Sequence, residues 1–148
     1  MKNIWFDMDG TIADLYGVEN WLAYLVAEDA KPYEIARPLI NLSKLARYLN
    51  QLQRNGYKIG IISWTSKNGT DDYNLTVAAA KMKWLAIHLK SVKWNYTRIV
   101  PYGTNKYHVC GGGILFDDEE KNREYWNDEA YEPNQIFEVL NRLIKEDM

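Results

Sequence analysis

Ile4-Trp5-Phe6-Asp7-Met8-Asp9-Gly10-Thr11 is an apolar run that ends in two carboxylates one residue apart, followed by Gly-Thr. A second apolar run, Ile114-Leu115-Phe116, ends in Asp117-Asp118. Short apolar runs closed by turn residues read as buried parallel strands. In an open α/β sheet, ligands bind beyond the carboxyl ends of the strands, so both acidic clusters point into one crevice. Carboxylates crowded there repel one another unless a cation neutralises them. Hard oxygen donors of this kind suit Mg²⁺.

Working outward, Lys58 to Ser63 reads as another strand, and Arg98 to Tyr102 as a third. A short strand is predicted at Glu129-Ala130-Tyr131. Leu42, Leu45, Leu49 and Leu52 form a helical stripe that stops at Asn55-Gly56, with Pro38 expected in the first turn of that helix. Leu75, Ala78, Ala79, Met82, Leu85, Ala86 and Leu89 mark a long helix with Asp71 or Asp72 as N-cap. Ile136, Val139, Leu140, Leu143 and Ile144 mark a last helix capped by Asn134. Strands alternating with helices imply right-handed crossovers and a central, mainly parallel sheet covered on both faces, a Rossmann-like three-layer α/β sandwich. Residues 14 to 40 are irregular, with helical spacing at Trp21, Leu22, Leu25 and Val26, and read as a small helical cap inserted after the first strand of a single domain.

The 148 residues suffice for one domain with a proper core. A net charge of −2 gives no overall field toward nucleic acid or an acidic membrane. One cysteine, Cys110, excludes an intramolecular disulfide and fits a reducing compartment. Strand-like sequence from Asn3 onward leaves no room for a signal peptide, and no run approaches a membrane span. The expectation is a cytoplasmic protein.

An Asp at a strand end can attack phosphorus and form an aspartyl-phosphate, splitting one hard displacement into two easier ones. A second Asp two residues on can protonate the leaving oxygen and then activate water. Gly10 lets the chain turn so that both carboxylates face one substrate. Hydroxyl and backbone donors at Ser63-Trp64 could hold phosphoryl oxygens, with Thr65 the rival to Ser63. A lysine would complete the set. Lys106 is first choice, and Lys81 and Lys83 read as solvated helix residues with Lys81 in reserve.

This pattern resembles the haloacid dehalogenase superfamily over almost the whole chain. Asp7-Met8-Asp9-Gly10-Thr11 matches its first motif, Ser63 its second, Lys106 its third and Asp117-Asp118 its fourth. The run from Lys81 through Trp84 and Leu85 to Asp117-Asp118 looks like the 5′(3′)-deoxyribonucleotidases. The segment Ile114 to Trp126 is also similar to phosphatase domains that act on nucleic-acid ends, and to phage-encoded relatives. The resemblance implies a Mg²⁺-dependent phosphatase with Asp7 as nucleophile and Asp9 as general acid and base. Metal would be held by Asp7, the Asp9 backbone carbonyl and Asp117, with Asp118 behind or in its place. Ser63, Trp64 and Lys106 would bind phosphate. The resembled nucleotidases carry a larger cap than the 55 residues between Asp7 and Ser63 allow.

The expected substrate is a nucleotide or similar small phosphate ester. A phosphorylated 3′ end of a nucleic acid is the enzymatic alternative, and a non-catalytic interaction module the alternative of another class. A second copy of the chain is a candidate partner that could close the open site. Trp21, Tyr24, Trp64 and Tyr73 lie in segments able to flank the crevice and stack on a base. His88, His108 and Cys110 read as structural or surface residues, and Glu119 to Arg123 as an exposed helix start.

Overall fold

The computed structural model describes residues 2–148. Five strands form a parallel sheet: β1 (Asn3–Phe6), β4 (Lys58–Trp64), β5 (Tyr96–Val100), β6 (Ile114–Phe116) and β7 (Glu129–Tyr131), in the order β5-β4-β1-β6-β7. The strand that carries the first acidic pair is thus central. Alternation along it explains why Ile4, Trp5 and Phe6 are all apolar. Ile4 and Phe6 join one core cluster, and Trp5 joins another with Ile62, Leu115 and Trp126.

Helix α3 (Leu42–Arg54) and α7 (Ile136–Glu146) pack together over the Ile4–Phe6 face. The α3 stripe is as expected, with Leu42, Leu45, Leu49 and Leu52 all buried, each worth about 1.5–3 kcal/mol of transfer free energy. The helix starts later than expected, because Asn41 accepts the Lys44 N–H at 3.0 Å and supplies the cap. Pro38 instead lies in a two-residue strand, β3 (Arg37–Pro38), against β2 (Ala13–Asp14). An edge strand tolerates its missing N–H. Thr70, not an aspartate, caps α4 (Asp71–His88), and Asp71 and Asp72 sit in its first turn beside the helix dipole. Before α7, Glu132 and Gln135 close a 3₁₀ turn as a reciprocal capping box, so Asn134 is inside the turn and does not cap the helix.

The buried face of α4 also differs from the expected one. Tyr73, Val77, Ala80, Lys81, Trp84 and Leu85 face inward, while Leu75 is 71% and Met82 42% exposed. Tyr73, Val77 and Ala80 pack against Leu15, Ala30 and Tyr33 of the segment between β2 and β3. That segment holds two short helices, α1 (Trp21–Val26) and α2 (Lys31–Ile35). No described helix is long and apolar enough to cross a membrane.

Candidate active site

The parallel ladder places three strand ends side by side. Asp7 N–H donates to Phe116 O at 3.0 Å, and Asp117 N–H donates to Tyr131 O at 3.2 Å, so each acid begins where its strand ends. Gly10 then turns the chain with φ +80°, and a Cβ there would collide with the Asp118 carboxylate. The position needs glycine for both reasons.

Asp7, Asp117 and Asp118 each offer a carboxylate oxygen within 4.8 Å of the others. Lys106, only 4% exposed, lies 3.0 Å from Asp7 Oδ1 and 2.6 Å from Asp117 Oδ2. Thr11 Oγ1 is 3.1 Å from Asp7 Oδ2. One ammonium against three carboxylates leaves negative charge uncompensated. Burial, and next the Asp7 charge, push the Asp117 and Asp118 carboxyls well above the usual range. Burial alone would lower the Lys106 ammonium, but Asp7 and Asp117 outweigh it and hold it above the ordinary lysine value. All-oxygen donors with excess charge fit a hard divalent cation such as Mg²⁺.

Lys106 arrives as the first residue of α5 (Lys106–Cys110), whose N-cap is Asn105. Two partners were not legible beforehand. Asn122, expected on an exposed helix start, is buried in α6 (Glu120–Tyr125) and donates to Asp117 Oδ2 at 3.1 Å. The Glu119 N–H donates to Asp117 Oδ1 at 3.0 Å.

Lys81 overturns the reading of a solvated helix residue. It is 1% exposed, and its Nζ lies 2.8 Å from Asp9 Oδ2, 2.7 Å from Ser63 Oγ and 2.7 Å from Trp64 O. Its place on the helix was the missed signal: positions four before and four after it are Val77 and Leu85, both buried. The Asp9 side chain accordingly faces Lys81 and lies outside the three-carboxylate group. Burial raises the Asp9 carboxyl above its usual value, against the pull of Lys81.

A cleft of about 490 Å³ opens over Asp7, Asp9, Ser63, Trp64 and Lys106. Of the aromatics expected at its rim, Trp21 and Trp64 line it. Tyr73 is buried and donates its hydroxyl to Asp29 O, and Tyr24 lies under the Lys31 ammonium, so neither borders the cleft. Tyr16 and Tyr102 take their place. Tyr16 meets Trp21 edge to face at 5.0 Å, and Tyr102 lies 4.8 Å from the Trp64 ring. Leu22 and Val26 of α1 add an exposed apolar wall, 58% and 78% accessible. His108 is exposed, His88 packs on Trp84, and burial pushes the Cys110 thiol up to about 12, too high for a ready nucleophile.

A solved structure that the chain resembles is the D,D-heptose 1,7-bisphosphate phosphatase from Burkholderia thailandensis. It matches over 84% of this chain and 70% of that one, with a TM-score of 0.50 and 13% identity. The fold is a Rossmann-like α/β sandwich, with a central parallel five-stranded sheet flanked by helices. No protein-family model matches the chain, and no curated protein matches it in sequence. At that identity the likeness speaks for the fold. Within this sandwich, the acids and both buried lysines lie at the carboxyl ends of β1, β4 and β6, where α/β sheets bind ligands.

Proposed function

We propose that the protein is a Mg²⁺-dependent phosphomonoester hydrolase that works through an aspartyl-phosphate on Asp7. The observation that carries this reading is the convergence of Asp7, Asp117 and Asp118 on one point with Lys106 bridging two of them. A Asp7 carboxylate oxygen attacks phosphorus and the ester bond breaks. Asp9, in its acid form, gives its proton to the leaving oxygen. Asp9 then takes a proton from water as the water oxygen attacks phosphorus, which releases phosphate and restores both carboxyl groups. Lys106 and the Ser63 hydroxyl hold the phosphoryl oxygens, with the end of β4 at Ser63-Trp64 framing them.

Asp7, Asp117 and Asp118, together with the Asp9 main-chain carbonyl, would hold Mg²⁺. The ion would neutralise charge that the carboxylates and the phosphoryl group bring together.

The substrate reading is a nucleotide or a similar small ester with a flat leaving group. The cleft volume fits a molecule of that size. Trp21, Tyr16, Trp64 and Tyr102 offer stacking faces, and α1 offers an apolar wall. Beyond Lys106, Lys67 is the one cation among the lining residues, set against Glu28 and Glu119. That balance suits a single phosphate on an uncharged body better than a nucleic-acid end.

Phosphate release from nucleoside monophosphates, sugar phosphates and 3′-phosphorylated oligonucleotides, with and without Mg²⁺, tests the proposal. Turnover that requires Mg²⁺ and disappears in Asp7→Asn is the expected result. Turnover that survives in Asp7→Asn overturns it.

A further inference from the structure

We infer that Lys81 is a positioning residue that sets the hydrogen-bond polarity of the site: it makes Asp9 Oδ1 the proton-bearing oxygen and turns the Ser63 hydroxyl toward the cleft. The inference rests on the aspartyl-phosphate reading above and adds to it a second lysine with a task unlike that of Lys106.

A lysine ammonium has three N–H donors and no acceptor. Lys81 directs them at Asp9 Oδ2, Ser63 Oγ and Trp64 O, all within 2.8 Å. Each contact has a consequence. Asp9 Oδ2 accepts from a permanent donor, so in the acid form the proton sits on Oδ1. That oxygen has no other hydrogen-bonding partner among the described residues, and Asp9 borders the cleft. Ser63 Oγ also accepts from Lys81, so its own O–H must donate elsewhere. No protein acceptor for it appears among the described residues, which leaves the cleft and a phosphoryl oxygen. The third contact ties the ammonium to the carbonyl of Trp64, at the end of β4.

Lys81 does this from behind the site. It is absent from the cleft lining, and the ring of Tyr33, from α2, lies 5.2 Å from its Nζ. It therefore acts on substrate through Asp9 and Ser63. Lys106, by contrast, lines the cleft and touches Asp7 and Asp117.

The test compares two esters on one preparation. Para-nitrophenyl phosphate has a leaving group that departs without a proton, whereas a nucleoside 5′-monophosphate needs one. Lys81→Met should lower kcat for the nucleotide by ~10² or more, and lower it far less for the aryl ester. Lys81→Arg, which keeps the charge, should recover part of the loss. In an Asp9→Asn background, Lys81→Met should add little further loss on the nucleotide, because both changes disable the same proton. The ratio of the two rates does not depend on how much of the protein is folded, so partial unfolding of a variant leaves the test intact. If Lys81→Met does not fold, Lys81→Gln, which also removes the ammonium, supplies the same ratio. Equal losses on both esters, or a full multiplicative loss in the Asp9→Asn background, overturn the positioning role. A wild-type protein that hydrolyses neither ester overturns the underlying reading as well.

Discussion

The Lys106 ammonium sits 3.0 Å from the carboxylate of Asp7, ninety-nine residues away in the chain. The contact joins the start of a five-residue helix to the end of the central strand, and it is buried. A buried charge pair of this kind is costly to break from one side, since the remaining carboxylates lose their compensation.

Lys106→Ala should therefore impair kcat/KM by ~10² or more, as loss of a preorganised charge stabiliser does. Lys106→Arg should rescue poorly, because a planar guanidinium cannot reproduce a point charge between Asp7 and Asp117. Steady-state kinetics with a generic aryl phosphate measures both. Near wild-type activity in Lys106→Ala would remove Lys106 from the phosphate site.

Magnesium affinity should rise with pH. In the metal-free protein the Asp117 and Asp118 carboxyls lie above their usual range, raised first by burial and then by Asp7. A cation needs them ionised, so binding must displace protons, and it strengthens as they leave. The same shifts set the stability of the metal-free protein. A carboxyl whose folded pKa is raised holds its proton longer in the folded state. Stability should thus fall as pH rises above the ordinary Asp value of about 3.9. Added Mg²⁺ should reverse the fall at the upper end. Calorimetric titration and thermal unfolding across pH check both slopes. An affinity that is flat with pH contradicts the assignment of these two acids.

Gly10→Ala should weaken Mg²⁺ binding more than it weakens the fold. The new Cβ meets the Asp118 carboxylate, and φ +80° is unfavourable for alanine. Displacing Asp118 removes one of the three clustered carboxylates. Titration of the folded variant with Mg²⁺ should show reduced affinity, and wild-type affinity would mean that Asp118 is not a ligand.

Trp21→Ala or Tyr16→Ala should raise KM for a nucleoside monophosphate and leave a small alkyl phosphate nearly unchanged, since only the nucleotide has a base to stack. Tyr24→Ala should do neither, because that ring lies outside the cleft. Equal KM shifts on both esters would remove Tyr16 and Trp21 from leaving-group recognition.

The acid clusters were legible because they are local. Asp7-Met8-Asp9-Gly10-Thr11 and Asp117-Asp118 each follow a run of residues apolar enough to be a central strand, and strand ends in a parallel sheet have a fixed side. The leucine stripe of α3 was legible for a similar reason, its period being that of the helix. Lys81 was not, although it lies on the buried stripe of its own helix. A lysine there reads as solvated until a carboxylate is brought to meet it, and Asp9 is seventy-two residues away. The true inner face of α4 was hidden in the same way, because α2 and the segment before it, not the hydropathy of α4 alone, decide which side is covered. Asn122 and the exchange of Tyr24 and Tyr73 for Tyr16 and Tyr102 follow the same logic. Periodicity reports what a segment prefers, whereas the partner of a buried polar group is set by the packing of distant segments, and only the folded chain supplies that.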